Sequence, residues 1–204
     1  MAEQSRRRSA LAHLGLAARA RAGHPATAGV VLSERAFRHQ VALRGDSGDP
    51  AFVRAVERTV GVAPPTEPNT AVGPADLDAG PRILWLGPDE WLVAGADNPA
   101  AALADAIANL HAAAVDVSDG RTVIGVSGSS ARDLLAKGCP LDLHPAVFAP
   151  GRCAQTLIAH AHVILHQTDA APRYEIYVHR SFADYLWRWL EDAAREYGMA
   201  VAAD

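Results

Sequence analysis

The sequence predicts an α+β fold made of two ferredoxin-like halves of βαββ type packed into one body. Three observations carry this. The first part of the chain runs strand, helix, strand, strand, helix, strand, the order of a split β-α-β unit. Laying VALRGDSGDPAFVRAV (41–56) over IGVSGSSARDLLAKG (124–138) shows the same device twice: a strand, a glycine turn and a short polar helix start. Half of the 204 residues are hydrophobic, enough for one sizeable core or two small fused ones. The expected division is a basic N-terminal arm over 1–29 and a body over 30–204, with halves at about 30–118 and 119–198.

The arm, SRRRSALAHLGLAARARAGH, opens on the cluster Arg6 to Arg8 and runs into an apolar stretch, Leu11 to Ala18. That stretch contains His13 and stops at Arg19 and Arg21, which is short for the core of a secretory signal. The expectation is a mobile basic arm or a short helix that orders against an acidic or partner surface.

FRHQVALRG (37–45) is an extended run. DPAFVRAVERTVG (49–61) is a helix with Asp49 as N-cap, Pro50 at the first helical position, Gly61 just past the end, and an apolar face of Phe52, Val53, Val56 and Val60. The Pro-rich segment 62–81 is too polar and too broken to be a core element and is expected to wrap the surface. RILWLG (82–87) and EWLVAG (90–95) form a hairpin around a turn that Pro88 presets. Trp85 and Trp91 on this hairpin are natural filling for a seam between the halves. Asn98 and Pro99 repeat the cap-then-proline device for a helix over 98–111 that buries Leu103, Ile107 and Leu110, and AAVDVSD follows as a strand.

The second half repeats most of this. RTVIGVSG (121–128) is a strand, and Ser130 with Asp133 forms a capping box for the helix SARDLLAK, which Gly138 ends. RCAQTLIAH, HVILHQTD and RYEIYVHR are strands, and SFADYLWRWLEDAAREYG (181–198) is the closing helix. At 100° per residue, Phe182, Tyr185, Leu186, Trp189, Leu190, Ala193 and Tyr197 fall on one arc, the predicted core face. Trp187 falls outside it, nearest Ala183 and Ala194. Two readings stand for that trio: a surface covered by a partner subunit, or a ring folded over the core margin. Each half then has a sheet with helices on one face, and the halves pack through the apolar faces left over.

Composition excludes several function classes. With 21% charged residues and a net charge of −4, nucleic acid is not the expected partner. No window approaches the roughly 18 uninterrupted apolar residues of a membrane helix. Two cysteines are too few for a secreted disulfide framework, so a reducing cytoplasm is the default compartment.

Reactive letters cluster at AKGCPLDLHP (136–145), yet no catalytic constellation stands out. Cys139 follows a helix C-terminus, where the negative end of the dipole works against a thiolate nucleophile. Cys139, Asp142, His144 and Cys153 lack the paired spacing of structural zinc. His160, His162 and His166 share one sheet face if the register holds, which points to a metal module, unless HAH sits at a turn that breaks the register. Asp116 and Asp119 beside Arg121 read as charges that fix a tight turn rather than as an acid/base couple. GVSGSSAR lacks phosphate-loop spacing and suits at most weak anion binding. No residue is assigned a catalytic, cofactor or metal role, and Trp187, Ala183 and Ala194 are the candidate interface.

LGPDEWLV (86–93), VDVSDGRTVIGVSG (115–128), ARDLLAKGCPLDLHPAVFAPGRCAQT (131–156), LHQTD (165–169) and YVHRSFADYLWRWLEDA (177–193) together resemble the gamma-subunit family of heterotetrameric sarcosine oxidases. The likeness spans about Val30 to Gly198. It implies a complex with alpha, beta and delta subunits, an oxidoreductase acting on CH–NH donors that turns sarcosine into glycine with tetrahydrofolate as one-carbon acceptor. It further implies FAD, FMN and NAD in the larger subunits, zinc in the delta subunit, and no catalytic residue in a gamma subunit that is inactive alone. The implied fold resembles the folate-binding domain of glycine-cleavage aminomethyltransferases. On this reading GCPLDLHP ends a helix and begins a rigid turn, with Pro140 and Pro145 restricting the backbone. The alternative is a stand-alone folate-binding aminomethyl carrier.

Overall fold

A computed structural model describes residues 7–22 and 25–203. Met1 to Arg6, including the first residue of the basic cluster, lie outside the described residues. The strands are β1 (Val30–Arg35), β2 (His39–Arg44), β3 (Ala71–Val72), β4 (Arg82–Gly87), β5 (Glu90–Gly95), β6 (Ala113–Asp116), β7 (Arg121–Ser127), β8 (Cys153–Ile158), β9 (Ala161–Asp169), β10 (Arg173–His179) and β11 (Met199–Val201). The helices are α1 (Leu16–Ala22), α2 (Pro50–Val60), α3 (Ala100–Ala106), α4 (Ala131–Ala136) and α5 (Arg180–Ala194), with 3-10 turns between some elements.

The strands form two sheets, β3-β4-β5-β2-β6 and β11-β1-β7-β10-β9-β8. In the first, β4-β5-β2-β6 is the strand order of a ferredoxin-like unit read as second, third, first, fourth. The second sheet keeps the same scheme over β9-β10-β7, but β1 takes the position beside β7, antiparallel to it. β11, the strand that follows the last helix, is pushed outside and runs parallel to β1. The first strand of the body is thus a member of the second half's sheet, and β1 and β11 lie side by side.

Alternation along each strand sorts the apolar side chains onto two faces. Val41, Leu43, Ile83, Trp91 and Val93 pack under α2 and α3, with Phe52, Ala55, Val56, Leu103 and Ile107 from above. Leu32, Ile124, Val126, Leu165, Ile176 and Val178 pack under α4 and α5. The other faces meet each other through Leu84, Leu92, Ala94, Val123, Cys153, Ile164 and Tyr177. The result is a helix–sheet–sheet–helix stack, so the expected packing of two half-covered sheets is found.

Several local expectations are corrected. Trp91 and Trp85 do not fill the seam; they lie on the helix side of β4 and β5, with Trp91 5.7 Å from the Phe52 ring, and its indole nitrogen donates to the Pro65 carbonyl. The segment 62–81 is not confined to the surface, since Leu77 is fully buried in the seam and residues 71–72 pair with β4. The capping box is absent: Ser130 makes no side-chain cap bond. On α5 the buried stripe is Ala183, Leu186, Trp187, Leu190 and Ala194, while Phe182 and Tyr185 are 43% and 38% exposed. The predicted arc was rotated toward the aromatic rings. Small residues such as Ala183 and Ala194 face the sheet because only they let the helix come close, and Trp187 fills the gap beside them. Trp187, Ala183 and Ala194 are therefore core, and the surface reading of that trio is overturned by their burial.

Other elements fall where their capping residues put them. Asp49 accepts from the Ala51 amide at 2.8 Å at the start of α2, and Gly61 ends it at φ 88°, a left-handed value that favours glycine. The predicted helix over 98–111 is helical only to Ala106, although the Asn98 side chain does accept from the Ala100 amide.

The arm is a 3-10 turn followed by α1, docked on the body. Leu11 is fully buried in the helix-side core of the second sheet. Around it, acidic groups of the body receive the arm: Ser9 donates to Glu34 at 2.8 Å, Arg7 pairs with Asp119 at 3.0 Å, His13 with Asp184 at 2.7 Å, and Arg19 with Glu191.

Candidate functional site

The densest polar chemistry lies inside the seam between the sheets. Arg82 opens β4, and the pleat turns its side chain toward the other sheet, where Glu175 of β10 and His166 of β9 point back. One guanidinium nitrogen, Nη1, donates to Glu175 Oε2 at 2.5 Å and to His166 Nδ1 at 3.0 Å. The remaining donors close on backbone: Nε and Nη2 reach the Pro74 carbonyl at 3.0 and 2.8 Å, and Nη2 reaches that of Ala75 at 2.7 Å. Tyr177 donates to Glu175 Oε2 at 2.9 Å, and Arg35 stands 3.7 Å from Oε1.

Electrostatics fix the protonation states. A guanidinium has only donors, so Nδ1 of His166 must accept, and the ring proton sits on Nε2. Burial, then the Arg82 charge, hold His166 well below its ordinary pKa. Burial first, and the Glu175 charge second, keep the Tyr177 phenol well above its ordinary value. A neutral histidine, a neutral tyrosine and one ion pair fill the site. Every reactive group in it is bonded to another, so the arrangement locks the two sheets in register rather than presenting a nucleophile or a base to a substrate.

The residues singled out in sequence are scattered. Cys139 follows α4 and is buried, its sulfur 3.9 Å from Thr156 Oγ1. Asp142 accepts from the His144 amide at 2.9 Å, and His144 Nδ1 accepts from the Ala146 amide at 3.2 Å. Both side chains thus shape the turn that carries Leu143 and Phe148 into the core. Cys153 lies in the seam instead, its thiol pushed up to about 12, chiefly by burial. His160 sits in the β8–β9 turn after Ala159 at φ 51°, His162 is exposed, and His166 belongs to the Arg82 cluster. The turn breaks the register of the three histidines, and among the described residues no three His, Cys, Asp or Glu side chains gather as a metal site. Asp116 fixes its turn by accepting from the Ser118 amide and hydroxyl at 2.9 and 2.5 Å, whereas Asp119 pairs with Arg7. Two amides at the start of α4, those of Ser130 and Ala131, donate to the Gly29 and Gly128 carbonyls.

Arg82 and Glu175 were not anticipated. The available signal was a charge at a strand position whose alternation calls for an inward side chain, in RILWLG and RYEIYVH alike.

Comparison with known proteins gives a consistent picture. A family model described as the sarcosine oxidase gamma subunit family matches residues 44–196. The sarcosine oxidase subunit gamma of Corynebacterium sp. (strain U-96) is 37% identical over 202 residues, covering 97% of this chain and 94% of that one. A chain of the heterotetrameric sarcosine oxidase from Corynebacterium sp. U-96, solved with pyrrole 2-carboxylate, superposes with a TM-score of 0.84 at 34% identity, covering 94% of this chain and 96% of that one. The glycine cleavage system aminomethyltransferase T from Bartonella henselae superposes at 0.63 with 12% identity, over 94% of this chain and 51% of the other, a likeness of fold alone.

Proposed function

Because the chain belongs to the sarcosine oxidase gamma subunit family, we propose that it serves as the structural and assembly subunit of a heterotetrameric sarcosine oxidase and carries no catalytic residue of its own. Its companions are then alpha, beta and delta subunits that hold FAD, FMN, NAD and zinc, with tetrahydrofolate as one-carbon acceptor, in the cytoplasm. The observation that carries the non-catalytic reading is the closed state of the Arg82–Glu175–His166–Tyr177 cluster, whose side chains are bonded to one another. A second support is the exposed aromatic group on α5, where Phe182 and Tyr185 meet edge-on at 6.4 Å and His160 lies 6.4 Å from Tyr185, rings that folding alone leaves in water.

Co-expression with the flavin-bearing subunits tests the reading. The expected result is a tetramer whose turnover requires the other subunits, and a chain that alone is inactive, sticky or dimeric. Conversion of sarcosine by the purified chain, or a stoichiometric flavin bound to it, would refute the proposal. Saturable micromolar binding of folate to the isolated chain would instead favour the stand-alone aminomethyl carrier.

A further inference from the structure

Sheet β3-β4-β5-β2-β6 does not cover all of its partner. At one end of the second sheet the row that faces the seam continues past Tyr177 into a cavity of about 370 Å³ lined by Arg121, His179, His162, Tyr177, Ile164 and Leu157, among others. Register explains the grouping. Arg121 pairs directly across from His179 in β7 and β10. His162 follows one step beyond the Val178–Val163 pair of β10 and β9, which brings it beside His179. One guanidinium, two imidazoles and Leu157 therefore stand in one row across β7, β10, β9 and β8, with Tyr177 and Ile164 in the row beside it.

We propose that this cavity is a receptor for a carboxylate group. Arg121 is half-buried and lines the cavity, and among the described residues no carboxylate stands within ion-pair distance of it. Burial lowers the pKa of the Arg121 guanidinium, opposed in part by the charge of Glu90, whose carboxylate is held by Arg44 at 2.8 Å. A guanidinium fork takes the two oxygens of a carboxylate side by side, and each imidazole adds an N–H donor in any tautomer. A single negative charge matches a single fixed positive one. A phosphate, with up to two charges, is a poorer match for a lining with one fixed cation and no lysine, although His179 also stands as the N-cap of α5. The volume is in the range of small-molecule sites.

The carboxylate has two possible sources, a free organic acid or an acidic side chain of a companion subunit. Benzoate is the probe, with benzamide as its neutral isostere, on the full-length chain. Benzoate is expected to shift the ring proton resonances of His162 and His179 saturably; Arg121→Gln should weaken this by about tenfold or more, and Arg121→Lys by less, because it keeps the charge and loses the fork. Unchanged circular dichroism shows that both variants fold. Benzoate that binds no better than benzamide, or equally well to Arg121→Gln, overturns the proposal.

The source is read in the assembled oxidase from labelling of Arg121 by an arginine-specific dicarbonyl reagent. Labelling that persists and is blocked by added benzoate identifies a free acid. Labelling already blocked without benzoate, together with weaker assembly of Arg121→Gln, identifies the companion's acidic side chain. Blocked labelling with assembly unchanged is mere steric cover and also overturns the proposal.

Discussion

Arg82 of one sheet and Glu175 of the other meet at 2.5 Å inside the seam, with side chains only 1% and 5% exposed. Removing one member leaves a buried charge without its partner, which generally costs about 3–5 kcal/mol, while replacing both with apolar groups of similar volume is often neutral. Arg82→Met should therefore lower the unfolding free energy by several kcal/mol, and the double variant Arg82→Met/Glu175→Leu should recover most of it. Urea denaturation of the three proteins checks this. A single variant within about 1 kcal/mol of wild type would show that water already reaches the pair.

His166 makes the same cluster sensitive to acid. Its folded pKa lies well below the ordinary 6.5, so between those two values the unfolded chain binds a proton that the folded chain refuses. Stability is thus fully present above about pH 6.5 and falls as pH drops below it, by up to about 1.4 kcal/mol per pH unit. The lowered carboxyls of Asp76, Asp116 and Asp184 act in a separate window, below about pH 4. Between pH 7.5 and 5, melting temperature should fall more steeply in wild type than in His166→Gln. Parallel curves would mean that the ring is hydrated.

The halves of the fold were legible because strand period, the N-cap aspartate at 49 and the glycine at 61 are local signals, and local signals specified α2 to the residue. What escaped was non-local. β1 pairs with β7 across some ninety residues of chain, and β11 has only three residues to show, so neither carries a pattern of its own. The α5 face was misjudged by a quarter turn because ring size was weighed above helix–sheet spacing, which selects Ala183 and Ala194 for the close side. The Arg82 cluster escaped because a buried ion pair is visible only when both of its strands are placed.

That rotation of α5 separates two kinds of aromatic residue. Trp187 is fully buried, and truncating it leaves a large cavity, so Trp187→Ala should destabilise the chain by about 3–5 kcal/mol. Tyr185→Ala and Phe182→Ala remove rings already in solvent and should change stability by less than about 1 kcal/mol while weakening association with companion subunits. Thermal melts and gel filtration of co-expressed complexes measure the two effects independently. Equal loss of stability in all three would refute the separation.

The docked arm yields a kinetic readout. Leu11 anchors it in the core, and around that anchor the basic side chains meet Asp119, Asp184 and Glu191 at the surface. Surface pairs contribute little each and are screened by salt, so the apolar anchor should dominate. Leu11→Ala is expected to speed tryptic cleavage after Arg19 and Arg21 severalfold, with the body left intact, whereas Asp119→Asn should have a slight effect. Equal rates for Leu11→Ala and wild type would place the anchoring elsewhere.

The turn at 139–151 decides whether reactive-looking residues are used for shape or for chemistry. Asp142 and His144 each cap a backbone amide two residues on, and the Cys139 sulfur meets the Thr156 hydroxyl at 3.9 Å. A side chain that only closes a turn can be exchanged at a cost to stability of about 1 kcal/mol, without altering a rate constant set elsewhere. Cys139→Ser and His144→Ala should accordingly leave oxidase turnover per assembled complex nearly unchanged while lowering the melting temperature of the chain by a few degrees. Steady-state kinetics on reconstituted complex separates the two, because a lost catalytic group lowers kcat in molecules that are fully assembled, and a loosened turn lowers only how many assemble. A fall in kcat of about a hundredfold with assembly intact would make this turn part of the reaction, and the structural reading of the subunit would fall with it.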